Sequence, residues 1–218
     1  VTQVSLILVS LLIATRAEKC REAAKDREKL REYLTAVRAD VADELETCAM
    51  NLGDCERDIA CLATALGAWS HTSADSVYAG LAAFAEVYQR GVFRSFPPTT
   101  FDMMLQSGDA NLLKDLALRG QLAAAFAFRN NVLRKDLEGY DQATTDCAER
   151  LGEHFDLTRL FSGDLEGAIL DKKVFSKSPH NEVFLLLRVA QLRGFHLANA
   201  VENFEEVQKS LDDFLQKL

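Results

Sequence analysis

The chain has 218 residues, with 33 acidic against 25 basic side chains, a net charge of −8 and 48% hydrophobic residues. That length suits one core of ordinary size, and the acidic balance excludes a nucleic-acid binder that works by neutralising phosphates, because no basic surplus exists to release counterions. Thirty-two leucines and 29 alanines stand against 14 valines and four isoleucines, and the only prolines are Pro97, Pro98 and Pro179. This composition favours helix and starves a sheet.

Residues 1–15 carry no charge, and the run Val4 to Ala14 is interrupted only by Ser5 and Ser10. Three readings fit: a membrane helix, a signal peptide cleaved near Ala17, and a buried core helix. Fifteen helical residues span about 22 Å, short of the roughly 30 Å of a bilayer core, so the membrane reading expects a span that starts upstream of residue 1. The flank favours it. Arg16 to Glu32 holds seven basic and five acidic residues, and pairs such as Glu18–Arg21 and Asp26–Lys29 place the acid first at i,i+3. Residues 16–29 are therefore expected to form a charged helical stalk between the membrane and a helical body over 30–218.

In the body, apolar positions recur at Leu30, Leu34, Val37, Val41, Leu45, Cys48 and Leu52, one face of a helix. Gly53-Asp54 reads as a helix end followed by a new N-cap, with a second helix running to about Trp69. His71-Thr72-Ser73 closes that helix, and a third, carrying Val77, Leu81, Phe84 and Tyr88, stops at Gly91. Pro97-Pro98 forbids helix, and Thr99-x-x-Asp102 resembles a capping box for a short helix ending at Gly108. From Leu122 through Phe126, Leu133, Tyr140 and Cys147 to Phe155 a further stripe runs, with Asn130 on it as a register-fixing polar residue or a ligand contact. Asp156 to Lys177 predicts short turns. Ser178-Pro179 opens a last helix through Val183, Leu187, Ala190 and Leu197 to Leu218. The expected fold is all-α, an N-terminal membrane helix continuing into a long helix and packed into an antiparallel helical bundle.

The order of these segments carries a resemblance. REYLTAVRADVADELE (Arg31 to Glu46), FPPTTFDMMLQSGDANLLKDLALRGQL (Phe96 to Leu122) and the closing amphipathic helix look like a bacterial family of uncharacterised membrane-anchored helical proteins. Thr99, Thr100, Leu105, Ser107, Gly108, Leu112, Leu113, Leu118 and Arg119 stand at the positions of that family's central element. The resemblance implies a single-pass membrane protein with a cytoplasmic N-terminus and a periplasmic body. It carries no activity.

No nucleotide, nucleophile-elbow or metalloprotease motif occurs. His71, His154, His180 and His196 are isolated from one another, and the Glu-x-x-His pairs of di-metal bundles are missing. Neither catalysis nor a cofactor or metal is expected. Trp69 and Met103-Met104 read as core filling, and Glu205-Glu206 and Asp212-Asp213 as solvated helix faces. Of the five cysteines, a turn at Gly53-Asp54 would set Cys48 opposite Cys61, a disulfide in an oxidising compartment. The other reading makes all five small apolar fillers.

The last helix keeps its stripe for about 50 Å, more than a compact domain of this size covers. Leu197, Val201, Phe204, Leu211 and Leu215 are therefore expected to bind a protein partner or a second copy, unless the two long helices cover each other. The expected function is a membrane-anchored interaction or scaffold subunit, with lipid as the partner of the N-terminal helix. The alternative is a periplasmic sensor or small-ligand-binding domain.

Overall fold

The computed structural model describes residues 2–70, 73–90, 96–170 and 179–218. Seven α-helices are described: α1 (Thr2–Trp69), α2 (Ala74–Arg90), α3 (Thr100–Ser107), α4 (Leu116–Phe128), α5 (Arg134–Gly152), α6 (Leu157–Phe161) and α7 (Pro179–Leu215). A 3-10 turn, Asp109–Leu112, precedes α4, and a π turn, Arg129–Leu133, joins α4 to α5. Among the described residues the only β pairing is the single bridge Phe155–Ile169, so the fold is all-α. The helix break at His71-Thr72, the stop at Gly91 and the residues from 171 to Ser178 lie outside the described residues.

The largest departure from expectation is the length of α1. The helix passes through Gly53-Asp54 without a turn and ends only at Trp69. Its buried positions explain why. Leu30, Leu34, Val37, Val41, Glu44, Cys48, Asn51, Cys55, Asp58, Leu62, Ala65 and Trp69 are all buried. The steps alternate four and three without a miss, the repeat of a coiled-coil seam. Gly53 lies off that seam. A helix-ending glycine adopts left-handed φ, and among the described residues only Gly108 (80°) and Gly163 (84°) do so.

A Cβ at Gly53 would meet nothing within 4 Å. Gly53→Ala is therefore expected to stabilise the protein by about 0.5–1 kcal/mol, the helix-propensity difference. A urea titration showing destabilisation would restore the turn.

The described residues fall into two compact units. The first comprises Val1–Asp43, Pro97–Phe126 and Phe204–Leu218, and the second Glu44–Phe96 and Ala127–Asn203.

In the first unit, the expected capping box forms. Asp102 N donates to Thr99 Oγ1 (3.3 Å) and Thr99 N to Asp102 Oδ2 (3.1 Å). Asp40 accepts from Thr100 N. Asp109 accepts from Lys29 Nζ (2.8 Å) and Tyr33 OH (2.7 Å), and the Lys29 ammonium, then the phenol, holds its carboxyl below the usual range. Phe126 stacks on Phe101 (5.4 Å between centroids) and meets Phe204 edge-on (5.6 Å).

The expected membrane-crossing helix over 1–15 is not supported. Among the described residues no helix is long and apolar enough to cross a membrane, because the charged run from Arg16 follows too soon. Residues 13–29 of α1 are all exposed.

The second unit is a bundle of the C-terminal part of α1, α2, α5 and the first part of α7. Trp69 Nε1 donates to Val77 O (3.3 Å), and the indole lies 6.5 Å from the Phe84 ring, closing α1 against α2. The pairs His196–Asp136, Arg193–Tyr140 and Arg150–Glu182 run α5 and α7 antiparallel. Asp156 caps α6 by accepting from Thr158 N and Arg159 N, and the Phe161 ring stacks on Tyr88 at 4.8 Å.

Candidate functional site

A few ionisable side chains of the second unit are buried in its interior. Glu44, Asn51 and Asp58, each seven residues from the next, occupy one seam position of α1 and are buried. Asp58 Oδ1 accepts from Arg90 Nε (2.6 Å) and Oδ2 from Tyr140 OH (2.9 Å). The Arg193 guanidinium lies 5.0 Å from the centre of the Tyr140 ring. Burial pushes the Asp58 carboxyl up, and the bonds from Arg90 and Tyr140 pull it back. Burial likewise raises the Tyr140 phenol and lowers the Arg193 guanidinium.

Glu44 accepts from Arg129 Nη2, while Arg129 Nη1 donates to Asn130 Oδ1 (2.7 Å) and its Cζ sits 5.4 Å from the Phe96 ring centre. Arg129 opens the π turn, the extra residue of which carries its side chain inward. Glu44, Asp58 and Arg129 are buried, with Arg90 partly exposed at the edge, and polar seam residues bonded to neighbouring elements are suited to fix helix register.

The exposed face of α7 is the second feature. Core-side residues Val183, Leu186, Ala190 and Leu197 are buried. On the other side Phe184 (52% exposed), Leu185 (60%), Leu192 (54%) and Phe195 (62%) face outward. With Arg188, residues 184, 192 and 195 fall within an arc of about 80° on the helix. Over this stretch α7 carries apolar side chains on its outward side as well as its core side. Beside Leu185 lies a hollow of about 150 Å³, lined by Ala143, Cys147, Leu186 and Val189, with Asp146 and Arg150 of α5 at its edge.

The predicted partner stripe is corrected by these positions. Leu197, Phe204 and Leu211 are buried, and Val201 and Leu215 half-buried. A regular stripe marks the side of a helix that faces its own core, and this one does. The exposed apolar residues lie across the helix from it. Their signal in the sequence is the run Leu185-Leu186-Leu187, which sweeps more of the helix circumference than one face can bury.

The Cys48–Cys61 pairing is corrected as well. Both lie on the unbroken α1, thirteen residues and about 20 Å apart, beyond the reach of a disulfide. All five cysteines are free thiols. Burial pushes the thiols of Cys48 and Cys147 up to about 12 and that of Cys55 to about 11, and Cys55 Sγ donates to Ala190 O (3.1 Å). A thiolate-seeking reagent at neutral pH is expected to label exposed Cys20 first and half-buried Cys61 more slowly, leaving the other three for the unfolded chain. Peptide mapping in which Cys48, Cys55 or Cys147 reacts as fast as Cys20 would contradict this packing.

Of the other residues singled out, Trp69 and Met104 are core and Met103 is exposed. Glu205, Glu206 and Asp213 are exposed, while Asp212 pairs with Arg38. His196 Nδ1 lies 2.6 Å from Asp136 Oδ2, His154 is half-buried, and His71 and the His180 side chain lie outside the described residues. Among the described residues no group of three or more His, Cys, Asp or Glu is placed to hold a metal ion. Comparison with models of known protein families, with curated proteins and with solved structures finds no match, and the reading of the site rests on its own geometry.

Proposed function

We propose that this chain is a helical interaction module, a scaffold or accessory subunit that binds another protein on the outward face of α7 and carries out no catalysis. The observation that supports it is the exposure of Phe184, Leu185, Leu192 and Phe195 by half or more on one continuous face. Together they offer roughly 400 Å² of apolar surface, within the range of the largest patch on a single chain, which is often functional. A photo-crosslinking residue at Leu192 or Phe195 is expected to trap a discrete protein adduct in producing cells, whereas one at exposed Lys135 of α5 traps none. Absence of an adduct at Leu192 and Phe195, or equal adducts at Lys135, would sink the reading.

Membrane attachment belongs to the same proposal. The uncharged residues 1–15 lead into a helical stretch, 13–29, exposed on every side, an arrangement suited to an apolar tip resting in lipid with the body held off the surface, on the periplasmic side that the resemblance implies. The full chain is expected to stay with membranes through a carbonate wash, and its release into the supernatant would end this part of the reading.

A second reading, a small-ligand-binding domain, is favoured by a solvent-open hollow of about 430 Å³ in the first unit, lined by Asp115, Leu118, Gln121, Ser210 and Phe214, within the usual size range of ligand sites. Thermal shifts on adding small metabolites, abolished by Leu118→Trp, are its signature.

A further inference from the structure

We infer that the occupant of the α7 face is an amphipathic helix of another protein that presents a carboxylate to Arg188; this rests on the interaction-module reading above. The first argument is charge. From Val183 to Val201 the chain has no acidic residue, although it carries 33 in all and a net charge of −8. Arg188 stands in the middle of the exposed apolar residues, one helical turn from Phe184 and from Leu192, and its Nη1 donates to Gln191 Oε1 (2.9 Å) on the same face. A guanidinium set among apolar side chains selects a partner whose apolar face is interrupted by a carboxylate, because covering it with anything else strips its water without replacement. The second argument is shape. The hollow beside Leu185 lies along the α5–α7 seam, and its roughly 150 Å³ accepts a large apolar side chain of a helix laid over that seam, the helix-in-groove mode of recognition.

Two other occupants fit less well. A second copy pairing α7 with α7 about a two-fold axis through the patch brings Arg188 within about one turn of its own counterpart, a like-charge contact. An acidic lipid surface is held by clusters of about four to eight basic residues. Here Arg188 is flanked by a hollow lined by Asp146 and Glu182 as well as Arg150, and Arg150 is already paired with Glu182.

The test uses the full chain and two synthetic amphipathic helices that share one apolar face and differ only in carrying Glu or Lys within it, titrated by fluorescence anisotropy. The Glu helix is expected to bind at least about tenfold tighter than the Lys helix, and R188E to reverse the order. F195D should weaken both by about tenfold or more, with the circular dichroism and thermal melt of each variant unchanged. If F195D weakens binding but R188E leaves the preference intact, the carboxylate inference falls and the docking face stands. If neither substitution matters, both fall. A wild-type dimer in sedimentation that F195D dissociates makes the occupant a second copy. Binding to phosphatidylglycerol-containing vesicles that F195D abolishes makes it a membrane. Either result overturns the inference.

Discussion

Glu44→Leu is expected to destabilise the second unit by about 3–5 kcal/mol, the largest effect of any single substitution proposed for this chain. Glu44 and Arg129 are both buried and pair across the core, Arg129 Nη2 donating to the carboxylate. Removing the carboxylate takes a charged hydrogen-bond acceptor from a buried guanidinium whose other contacts include the Asn130 carbonyl and the Phe96 ring face. The double substitution E44L/R129M behaves differently, because it deletes both desolvation penalties along with the attraction. It is expected to return to within about 1 kcal/mol of the parent or to exceed it. Trp69, the only tryptophan, lies in the same unit, and its fluorescence during urea unfolding reads the effect. A double variant as unstable as E44L would mean that the pair contributes through hydrogen-bond geometry that leucine and methionine cannot supply.

That pair also shows where the sequence stopped being informative. Helical class, the capping box at Thr99 and the core side of α7 follow from rules that act within a few residues: propensity, side-chain reach and periodicity. The seam of α1 follows the same arithmetic, yet at two of its positions Leu45 and Leu52 took the places that belong to Glu44 and Asn51. An apolar neighbour one position away satisfies a pattern search, whereas at Glu44 the structure buries the polar residue, whose partner arrives from elsewhere in the chain. Arg129 is 85 residues from Glu44 and Tyr140 is 82 from Asp58, and nothing local announces either. Gly53-Asp54 misled for a related reason. Glycine followed by aspartate is the chemistry of a helix end and a new cap, but here Asp54 pairs with Arg57 one turn on, and Arg57 Nε returns to Gly53 O. The seam continues through Cys55, Asp58 and Leu62, and burial along a dozen positions outweighs the roughly 1 kcal/mol that a helical glycine costs. The exposed apolar face of α7 was hidden by its own logic. Apolar periodicity identifies the side already covered, and only a surplus of apolar residues beyond that side marks what is left open.

Gly80→Ala, the substitution that stabilises at Gly53, is expected to destabilise by about 2 kcal/mol or more. Both glycines are in helices, and both would gain the same propensity of about 1 kcal/mol on becoming alanine. The difference is what the methyl meets. At Gly80 it would fall against the Trp69 indole, nearest to Nε1, with Cδ1 at 2.7 Å and Cε2 at 2.9 Å, well inside contact distance. The indole has no free path away. It is buried, its Nε1 donates to Val77 O at 3.3 Å, and the Phe84 ring lies 6.5 Å from it. Relief requires α2 to draw back from α1, which loosens the buried side chains of Val77, Leu81 and Phe84, or the indole to turn and give up its hydrogen bond, about 1 kcal/mol. Overpacking of this kind typically costs about 1–3 kcal/mol, and three atoms of a rigid ring place it at the upper end. In a Trp69→Leu background, already weakened by loss of the ring, Gly80→Ala meets a smaller and movable side chain, so the second substitution is expected to be close to neutral. The coupling between the two positions should then be about 2 kcal/mol, read from urea unfolding followed by far-ultraviolet circular dichroism, since the tryptophan is absent. Additive effects at Trp69 and Gly80 would mean that α2 does not pack on the indole.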